Sequence, residues 1–465
     1  DTSTIVENGE VKVNKMIVQN GVNHHEEKHM NGNRKVPNQG FFGVLLDYDN
    51  VSRPDQVIPA DSYTTSTPGD YVKLRVSSRG VSSEPPISVP GLLNRTVARY
   101  PDATALATKK ADGKWHKITY KQYQERVRTV AKAFIKLGLE KCHSVCILGF
   151  NSEQWYIADL AAIHAGGYAA GIYTTNSADA CYHCLVSSRA NIVAVQDKKQ
   201  LDKILSVRDK LPLLKAIVQW EGTVDTSVQE MGAKETDSQL NNILKSIAVN
   251  ECCTLVYTVV DIYTTLSNAI PVFFAQPDAL KGSLVETLKE VRPTRFLGVP
   301  RVWEKMYEKI MAVGAKGGTI KRAMAKWARE QGLNHHLARI KGQQGTSFGY
   351  KMAKSIVFSK VHESLGLDKC TTFVTAAAPL FSLDSAGELL EGTETMFGGS
   401  VSPNGPGEIR MRGRHVFMGY LDDDVKTRDA VDDEGWLLSG DIGRAKVNPE
   451  SGVPTDELDT ETKGW

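Results

Sequence analysis

The sequence predicts an α/β protein in which parallel strands are covered by helices. From Pro90 onward, segments with apolar residues at helical spacing alternate with short, continuous apolar runs. Such runs are apolar on both faces, which is typical of strands buried on both sides of a parallel sheet. The alternation of the two kinds of segment therefore indicates a helix-covered parallel sheet and excludes an all-helical or all-β fold.

The first block of this alternation begins with an amphipathic helix whose apolar residues lie on one face. Gly138 is expected to end this helix, and Ser152 is expected to cap the next one. The elements predicted for the block are helices over 121–137, 153–165 and 199–211 and strands over 144–150, 190–195 and 216–220.

A second block repeats the pattern and predicts a second α/β layer. A helix is expected over 278–291, followed by a strand over 296–299 that Pro300 ends. A further helix is expected to begin near Val302. A buried strand over 372–375 then leads into a turn of small residues, Ala376 to Pro379.

The segment 407–443 predicts a small β-rich subdomain. Strands are expected over 408–411 and 416–421, with a turn at 412–414 between them. A charged stretch then leads to Trp436 and to the sequence Gly440-Asp441-Ile442-Gly443, which is interpreted as a turn.

Composition limits the function classes. A chain of 465 residues with 41% hydrophobic residues can form about two to four domains. The 56 basic and 54 acidic residues nearly balance, so nothing favours a nucleic-acid partner. No run of eighteen apolar residues suggests a spanning helix.

Seven scattered cysteines indicate reduced thiols in a cytosolic setting and no disulfide framework. Cys181, His183 and Cys184 have the spacing of half a zinc site, but no second pair of ligands follows, so a metal centre is not predicted.

Three regions are predicted along the chain. Residues 1–85 are rich in Asn, Gly, Ser, Thr, Asp and Pro and are expected to be largely disordered. Residues 86–443 are expected to form the folded body, and residues 444–465 a solvated, disordered tail.

Five segments carry a resemblance to the adenylate-forming (AMP-binding) superfamily and, within it, to the bubblegum family of long-chain acyl-CoA synthetases. They are NSEQW (151–155), AGGYAAGIYTTNSADAC (165–181), FAQPDALKGSLVETLKEVRPTRFLGVPRVWEK (274–305), GRHVFMGYL (413–421) and the run 407–443 that contains it. The resemblance implies a large N-terminal domain of two α/β layered subdomains and a small β-rich subdomain. The family's small C-terminal domain is expected to be missing.

The resemblance also implies a function. A long-chain fatty acid would react with ATP to give an acyl-adenylate, and coenzyme A would then displace AMP, with Mg²⁺ assisting. In the family the aspartate of the Gly-Asp-x-Gly sequence holds the ribose hydroxyls of ATP, and here that residue is Asp441. A cytoplasmic location is expected, with peripheral contact with the endoplasmic reticulum membrane.

Other family features are incomplete. Thr258 corresponds only to the start of the phosphate loop, because the chain continues at once with sequence that lies downstream in the family. Ala377 and Ala378 match the small-residue turn near adenine, with Ala376 where glycine is usual. A second internal deletion is expected near 381–387, and Glu388 does not correspond to the family's magnesium-binding glutamate.

Two hypotheses therefore remain open. The protein is either an ATP-dependent long-chain fatty acid:CoA ligase or a catalytically inactive, fatty-acyl-binding or regulatory remnant of that family. The basic segment 316–339 is interpreted as a solvated helix face or, alternatively, as a contact with an anionic membrane.

Overall fold

A computed structural model describes most of the chain. The described residues are 5–7, 10–12, 55–76, 83–221, 228–255, 259–298, 300–315, 318–340, 345–374, 387–388, 392–399, 406–447 and 454–460. The chain divides into two compact units, residues 1–45 and residues 46–465. In the first unit, β1 (Ile5–Glu7) and β2 (Glu10–Lys12) form an antiparallel pair.

The second unit begins with the predicted α/β alternation. Its elements up to residue 255 are α1 (Val89–Arg99), β3 (Thr104–Lys109), β4 (Trp115–Thr119), α2 (Tyr120–Lys136), β5 (Ser144–Leu148), α3 (Glu153–His164), β6 (Tyr168–Ile172), α4 (Ala178–Ser187), β7 (Ala190–Val195), α5 (Lys198–Leu205), β8 (Ala216–Gln219), α6 (Val228–Ala233), α7 (Asp237–Ser246) and β9 (Thr254–Leu255).

Five of these strands form a parallel sheet in the order β8-β7-β5-β6-β9, which confirms the predicted fold class. Successive residues of β5 point to opposite faces of the sheet. Val145 and Ile147 join one apolar cluster with α2 and α3, whereas Cys146 and Leu148 join another with α4 and α5. The sheet is therefore buried on both faces, as its continuous apolar strands predict.

Local capping explains where the helices of this block begin. The Thr119 hydroxyl accepts a hydrogen bond from the Gln122 amide, and the Gln122 side chain accepts one from the Thr119 amide, so α2 has a complete capping box. Ser152 caps α3 as predicted. Nearly every residue of α3 is buried, because the helix lies between the sheet and α2.

The second block forms smaller sheets. Its elements are α8 (Val259–Ser267), β10 (Val272–Phe274), α9 (Leu284–Val291), β11 (Arg295–Leu297), α10 (Pro300–Ala315), α11 (Thr319–Ile340), α12 (Phe348–Ala353), α13 (Ser359–Leu365) and β12 (Thr372–Val374). β10 joins β3 and β4, and β11 pairs in parallel with β12. A π-helical turn connects α12 and α13.

Two predicted boundaries in this block are wrong. The helix expected over 278–291 begins only at Leu284, because Gly282 adopts a φ of 149° and separates a short 3₁₀ turn from α9. Pro300 begins α10 itself; proline suits the first turn of a helix, where its missing N–H has no partner to lose.

The remaining elements form the predicted β-rich subdomain. They are β13 (Gly387–Glu388), β14 (Glu394–Gly398), β15 (Gly407–Arg412), α14 (Asp424–Ala430), β16 (Leu437–Val447) and β17 (Pro454–Thr460). The five strands form an antiparallel sheet in the order β13-β17-β16-β15-β14. The prediction of a disordered tail after Gly443 is wrong for residues 444–447 and 454–460, because the backbone there pairs within this sheet.

The predicted disorder of residues 1–85 is also wrong for residues 55–76, which we call the linking segment. This segment contacts the buried side chain of Asn250. The Asn250 Nδ2 donates to the carbonyls of Ile58 (2.7 Å) and Val72 (2.9 Å), and its Oδ1 accepts from the Ile58 amide (3.1 Å). Backbone hydrogen bonds near Gln56 and Tyr71 extend the contact. The linking segment is thus fixed to the α/β body.

The other side of the linking segment contacts the β-rich subdomain. The Thr65 amide donates to the Met418 carbonyl, and the Asp422 amide donates to the Ser66 carbonyl, each at 2.8 Å. The strand predicted over 416–421 is absent, since part of its backbone bonds to the linking segment. Gly419, at a φ of 146°, lies directly against the Thr65 carbonyl.

None of the described helices is long and apolar enough to cross a membrane.

We expect Gly419→Ala to destabilise the protein more than Gly282→Ala does. Both glycines have nearly the same positive φ, 146° and 149°, a range that other residues rarely adopt. A methyl group at Gly282 meets nothing within 4 Å, whereas one at Gly419 collides with the Thr65 carbonyl. The difference in the free energy of unfolding, measured by urea titration, should be about 1–3 kcal/mol. Equal effects would contradict the described contact.

The helix α3 carries two buried groups whose pKa values shift in opposite directions. Burial raises the pKa of Asp159, which accepts a hydrogen bond from the Tyr263 hydroxyl (3.2 Å), to about 7. Burial lowers the pKa of His164, whose Nδ1 lies 2.7 Å from the Leu160 carbonyl, to about 4. Because of Asp159, the free energy of unfolding decreases as the pH rises from about 4 to 7. Because of His164, it decreases as the pH falls from about 6.5 to 4.

These two effects oppose each other between pH 4 and 6.5, and single substitutions should separate them. In Asp159→Asn, the free energy of unfolding should fall as the pH is lowered from 7 to 5. In His164→Gln, it should fall as the pH is raised over the same interval. Slopes of about 1 kcal/mol per pH unit are expected in urea titrations. Slopes of the same sign in both variants would contradict the assignment.

Candidate active site

Asp441 lies at a β-bulge between β15 and β16. In β15, Arg410 lies opposite Leu438 of β16, and Glu408 lies opposite Ile442. One residue of β15, Ile409, therefore faces three residues of β16, Ser439 to Asp441. The prediction of a turn at 440–443 is therefore wrong. Extra residues of this kind bend a strand and change the direction of its side chains.

Hydrogen bonds fix the shape of this bulge. The Ser439 hydroxyl donates to the Ile409 carbonyl (2.7 Å) and accepts from the Asp441 amide (3.1 Å). The Gly440 amide donates to one carboxylate oxygen of Glu408 (3.2 Å), and Arg410 Nε donates to the other (3.3 Å). Gly440 has a φ of 75°, a conformation that favours glycine.

Glu408 is thus a positioning residue that the sequence did not reveal. Its position in a strand with alternating charged and apolar side chains indicated only a half-buried sheet face. Its role depends on Gly440, which is distant in sequence and becomes adjacent only through strand pairing.

The bulge presents the side chain of Asp441 to solvent. The Asp441 residue is exposed, and within the described part of the chain its carboxylate makes no hydrogen bond or ion pair. A carboxylate with a fixed backbone and free oxygens can accept two hydrogen bonds from a vicinal diol such as a ribose. The arrangement therefore suits a hydroxyl-bearing ligand.

The linking segment also supports the region beside the bulge. Arg75 donates from Nη2 to the Gly435 carbonyl (3.2 Å), and Arg414 donates to the Arg75 carbonyl (3.1 Å). Arg412 lies over the ring of Trp436 at 4.3 Å from its centroid and pairs with Glu394. These contacts fix the chain just before β16.

The other predicted site residues lie outside the described residues. Thr258 follows β9, which ends at Leu255, and Ala377 and Ala378 follow β12, which ends at Val374. Their positions relative to Asp441 stay predictions. Glu388 lies in β13, where it pairs with the tail strand β17.

The carboxyl edge of the parallel sheet is the second feature of the candidate site, since ligands of α/β sheets bind there. Lys203 donates from Nζ to the carbonyls of Thr174 (2.7 Å) and Asn176 (2.8 Å) and holds the loop after β6. Gln196, directly after β7, accepts from the Phe150 amide (2.8 Å). Neither of these two positioning roles is visible in the sequence.

The strand β9, which leads toward Thr258, is short and lies at the edge of this sheet. Among the described residues of this strand, Thr254 and Leu255 pair with β6, and the Thr254 hydroxyl donates to the Ala169 carbonyl (3.1 Å). Among the described residues, no three His, Cys, Asp or Glu side chains are grouped to hold a metal ion. Cys181 is buried in the apolar cluster beside α4 and α5.

Solved structures show which class of protein has this fold. The anthranilate CoA ligase AuaEII, solved with anthranoyl-AMP, is 15% identical with a TM-score of 0.57, over 82% of this chain and 79% of that one. The N-terminal domain of FACL13 from Mycobacterium tuberculosis is 16% identical with a TM-score of 0.52, over 81% of this chain and 100% of that one. The fold is that of the large domain of adenylate-forming enzymes.

Sequence comparison identifies the family. The model of the AMP-binding enzyme family matches residues 93–259 and 255–421. Long-chain-fatty-acid--CoA ligase ACSBG2 of Xenopus laevis is 41% identical over 81% of this chain and 64% of that protein. The Gallus gallus and Homo sapiens proteins of the same name are 37% and 35% identical, over 83% and 82% of this chain and 63% and 71% of their own lengths.

The chain therefore belongs to the AMP-binding enzyme family, in its bubblegum group. It spans less than two thirds of the Xenopus and Gallus relatives.

Proposed function

We propose that this chain derives from an ATP-dependent long-chain fatty acid:CoA ligase, whose activity requires a phosphate loop that this sequence skips beside Thr258. The fatty carboxylate attacks the α-phosphorus of ATP, releasing pyrophosphate and giving an acyl-adenylate. The thiol of coenzyme A then attacks the acyl carbon and releases AMP. The observation that carries the proposal is the rigid bulge that presents Asp441, in a chain whose relatives are named long-chain-fatty-acid--CoA ligases.

In this function, the carboxylate of Asp441 accepts hydrogen bonds from the two ribose hydroxyls of ATP. This role requires a fixed backbone, because a mobile carboxylate could not keep both hydrogen bonds at the right distance and angle. The hydrogen bonds of Ser439 and Glu408 supply that rigidity. We assign Asp441 to ribose binding, Thr258 to the start of the phosphate loop, and Ala377 and Ala378 to the wall beside adenine.

The phosphate side of the site is the incomplete part. The two matches of the family model overlap at residues 255–259, the place where the sequence skips the phosphate loop. This overlap supports an internal deletion beside Thr258. A glycine-rich loop would supply backbone N–H groups to the phosphates. Mg²⁺ would stabilise phosphate charge, and the described residues offer no grouped ligands for it.

A cytoplasmic location with peripheral contact with the endoplasmic reticulum membrane is part of the proposal. The ligase would meet long-chain fatty acids at a membrane surface, where these poorly soluble substrates partition.

One observation favours the second candidate, an inactive fatty-acyl-binding or regulatory protein. Among the described residues, the pair β11–β12 leaves Leu297 and Phe373 exposed at 38% and 45%, and its apolar cluster has three buried residues, Leu288, Met306 and Leu367. A second layer this small among the described residues supports the second candidate. Full-length sequencing of the transcript across the codons for Thr258–Asp261 discriminates between the candidates. A glycine-rich loop found between these residues supports the ligase. A transcript that joins Thr258 directly to Val259, as in this sequence, supports the inactive protein.

Asp441→Ala should weaken ATP binding about 10- to 100-fold, the cost of losing hydrogen bonds to a charged acceptor. Titration of the purified chain with a fluorescent ATP analogue measures this change. Asp429→Ala is the matched control, because Asp429 is another exposed aspartate of the same subdomain, on α14. Equal affinity of the Asp441→Ala variant and the unsubstituted chain would remove Asp441 from the site.

We expect the 465-residue chain to form no acyl-adenylate, because positioning and charge stabilisation at the phosphates supply most of the catalysis of this step. The measurement is oleate-dependent pyrophosphate release in the presence of ATP and Mg²⁺. Release above that of the Asp441→Ala variant would contradict this expectation and show that a different element binds the phosphates.

A further inference from the structure

The helices between residues 318 and 374 carry an excess of positive charge. This stretch contains ten Lys and Arg and three Asp and Glu, although the whole chain has 56 and 54. The helix α11 alone has five basic residues and one acidic residue, Glu330. The positive charge of the protein is therefore concentrated on one helical region.

The basic side chains of α11 are not neutralised within the described part of the chain. None of its Lys or Arg residues forms an ion pair there, and Arg329 contacts only the sulfur of Met311 (3.5 Å). On the neighbouring helix α10, by contrast, Arg301 pairs with Glu304 and Lys305 with Glu308, each at 2.7 Å. The charges of α11 are thus available to an external anionic partner.

Helical geometry places these charges on an outward face. Arg322, Lys326, Arg329 and Leu333 follow the spacing i, i+4, i+7, i+11 and are all exposed. We call these four residues the basic face. The opposite side of α11 packs inward: Ala328 and Gly332 are buried, and His335 stacks on Tyr350 of α12 at 3.8 Å between ring centroids.

Apolar side chains accompany this charge. Leu333 lies within the basic face and is 60% exposed. Ile320 is 83% exposed in the first turn of α11, where every residue from Gly318 to Lys326 is exposed. A nucleic acid offers phosphate charge but little surface for an isolated Leu or Ile. The interface of a lipid bilayer accepts both, with anionic head groups for the Lys and Arg side chains and acyl chains for the apolar ones.

We propose that the basic face of α11 binds the surface of a membrane that contains anionic phospholipids. Arg322, Lys326 and Arg329 contact the lipid head groups, and Leu333 enters the boundary with the acyl chains. This surface does not include Asp441, so lipid binding requires no nucleotide and is separable from ligase activity.

The test is sedimentation of the full chain with lipid vesicles. One set contains phosphatidylcholine alone, and in the other roughly one third of the lipid is phosphatidylserine. We expect binding to the anionic vesicles that weakens as NaCl is added, because salt screens the attraction. Each basic residue near an anionic surface contributes about fivefold to affinity.

The variant Arg322→Gln/Lys326→Gln/Arg329→Gln should therefore bind anionic vesicles about 100-fold more weakly. The matched control is Lys110→Gln/Lys114→Gln/Lys117→Gln, which removes the same charge from exposed positions at β3 and β4 and should bind as the unsubstituted chain does. Leu333→Gln should weaken binding about tenfold while leaving its salt dependence unchanged. Far-UV circular dichroism and the urea midpoint establish that the variants remain folded.

Three results would overturn the proposal. The first is no binding to anionic vesicles, or equal binding to both vesicle types. The second is an equal loss of affinity in the α11 variant and the β3–β4 control. The third is binding to a duplex oligonucleotide, lost in the α11 variant, with no binding to vesicles, which would make the face a nucleic-acid site.

Discussion

The buried amide of Asn250 is the contact on which the arrangement of the site depends. Asn250 is 3% exposed, and its side chain makes three hydrogen bonds to the backbone of Ile58 and Val72. Leaving such groups unpaired in the interior would cost about 1–3 kcal/mol each, so the linking segment is held in one place. Because the same segment bonds to Met418 and Asp422, the bulge that carries Asp441 is positioned relative to the parallel sheet.

The two sides of the proposed nucleotide site differ in completeness. The ribose side is built by local strand pairing between β15 and β16, and its hydrogen bonds lie within the described residues. The phosphate side depends on the chain that continues from β9, a two-residue edge strand, and this continuation coincides with the overlap of the two family matches. In the proposed site, the contacts to the sugar are therefore separate from the contacts to the phosphates. Binding and catalysis are distinct questions for this chain.

Sequence reasoning succeeded where structure follows from local pattern. The strand Ala190–Val195 was predicted to the residue because its side chains, apart from Asn191, are apolar on both faces, as is typical of a strand inside a parallel sheet. The cap at Ser152 likewise follows from chemistry within four residues.

The errors arise where distant contacts decide. The linking segment is polar in composition, and its order comes from hydrogen bonds to Asn250, nearly two hundred residues away. The sequence Gly440-Asp441 is compatible with both a turn and a β-bulge. The pairing of β16 with β15 around Ile409 makes it a bulge. The sequence singled out Asp441 as a candidate, and its role stays a prediction. Neither Glu408 nor Lys203 could be identified as a supporting residue, since their partners are brought near by folding.

The central claim is that the linking segment couples the α/β body to the β-rich subdomain that presents Asp441. Hydrogen–deuterium exchange of Asn250→Ala against the unsubstituted chain tests it directly. If the claim is right, releasing the segment at Asn250 speeds exchange not only in residues 55–76 but also in residues 414–422, which Asn250 does not touch, while β7 remains protected. Faster exchange confined to residues 55–76 would show that the β-rich subdomain holds its position without the segment and would contradict the claim.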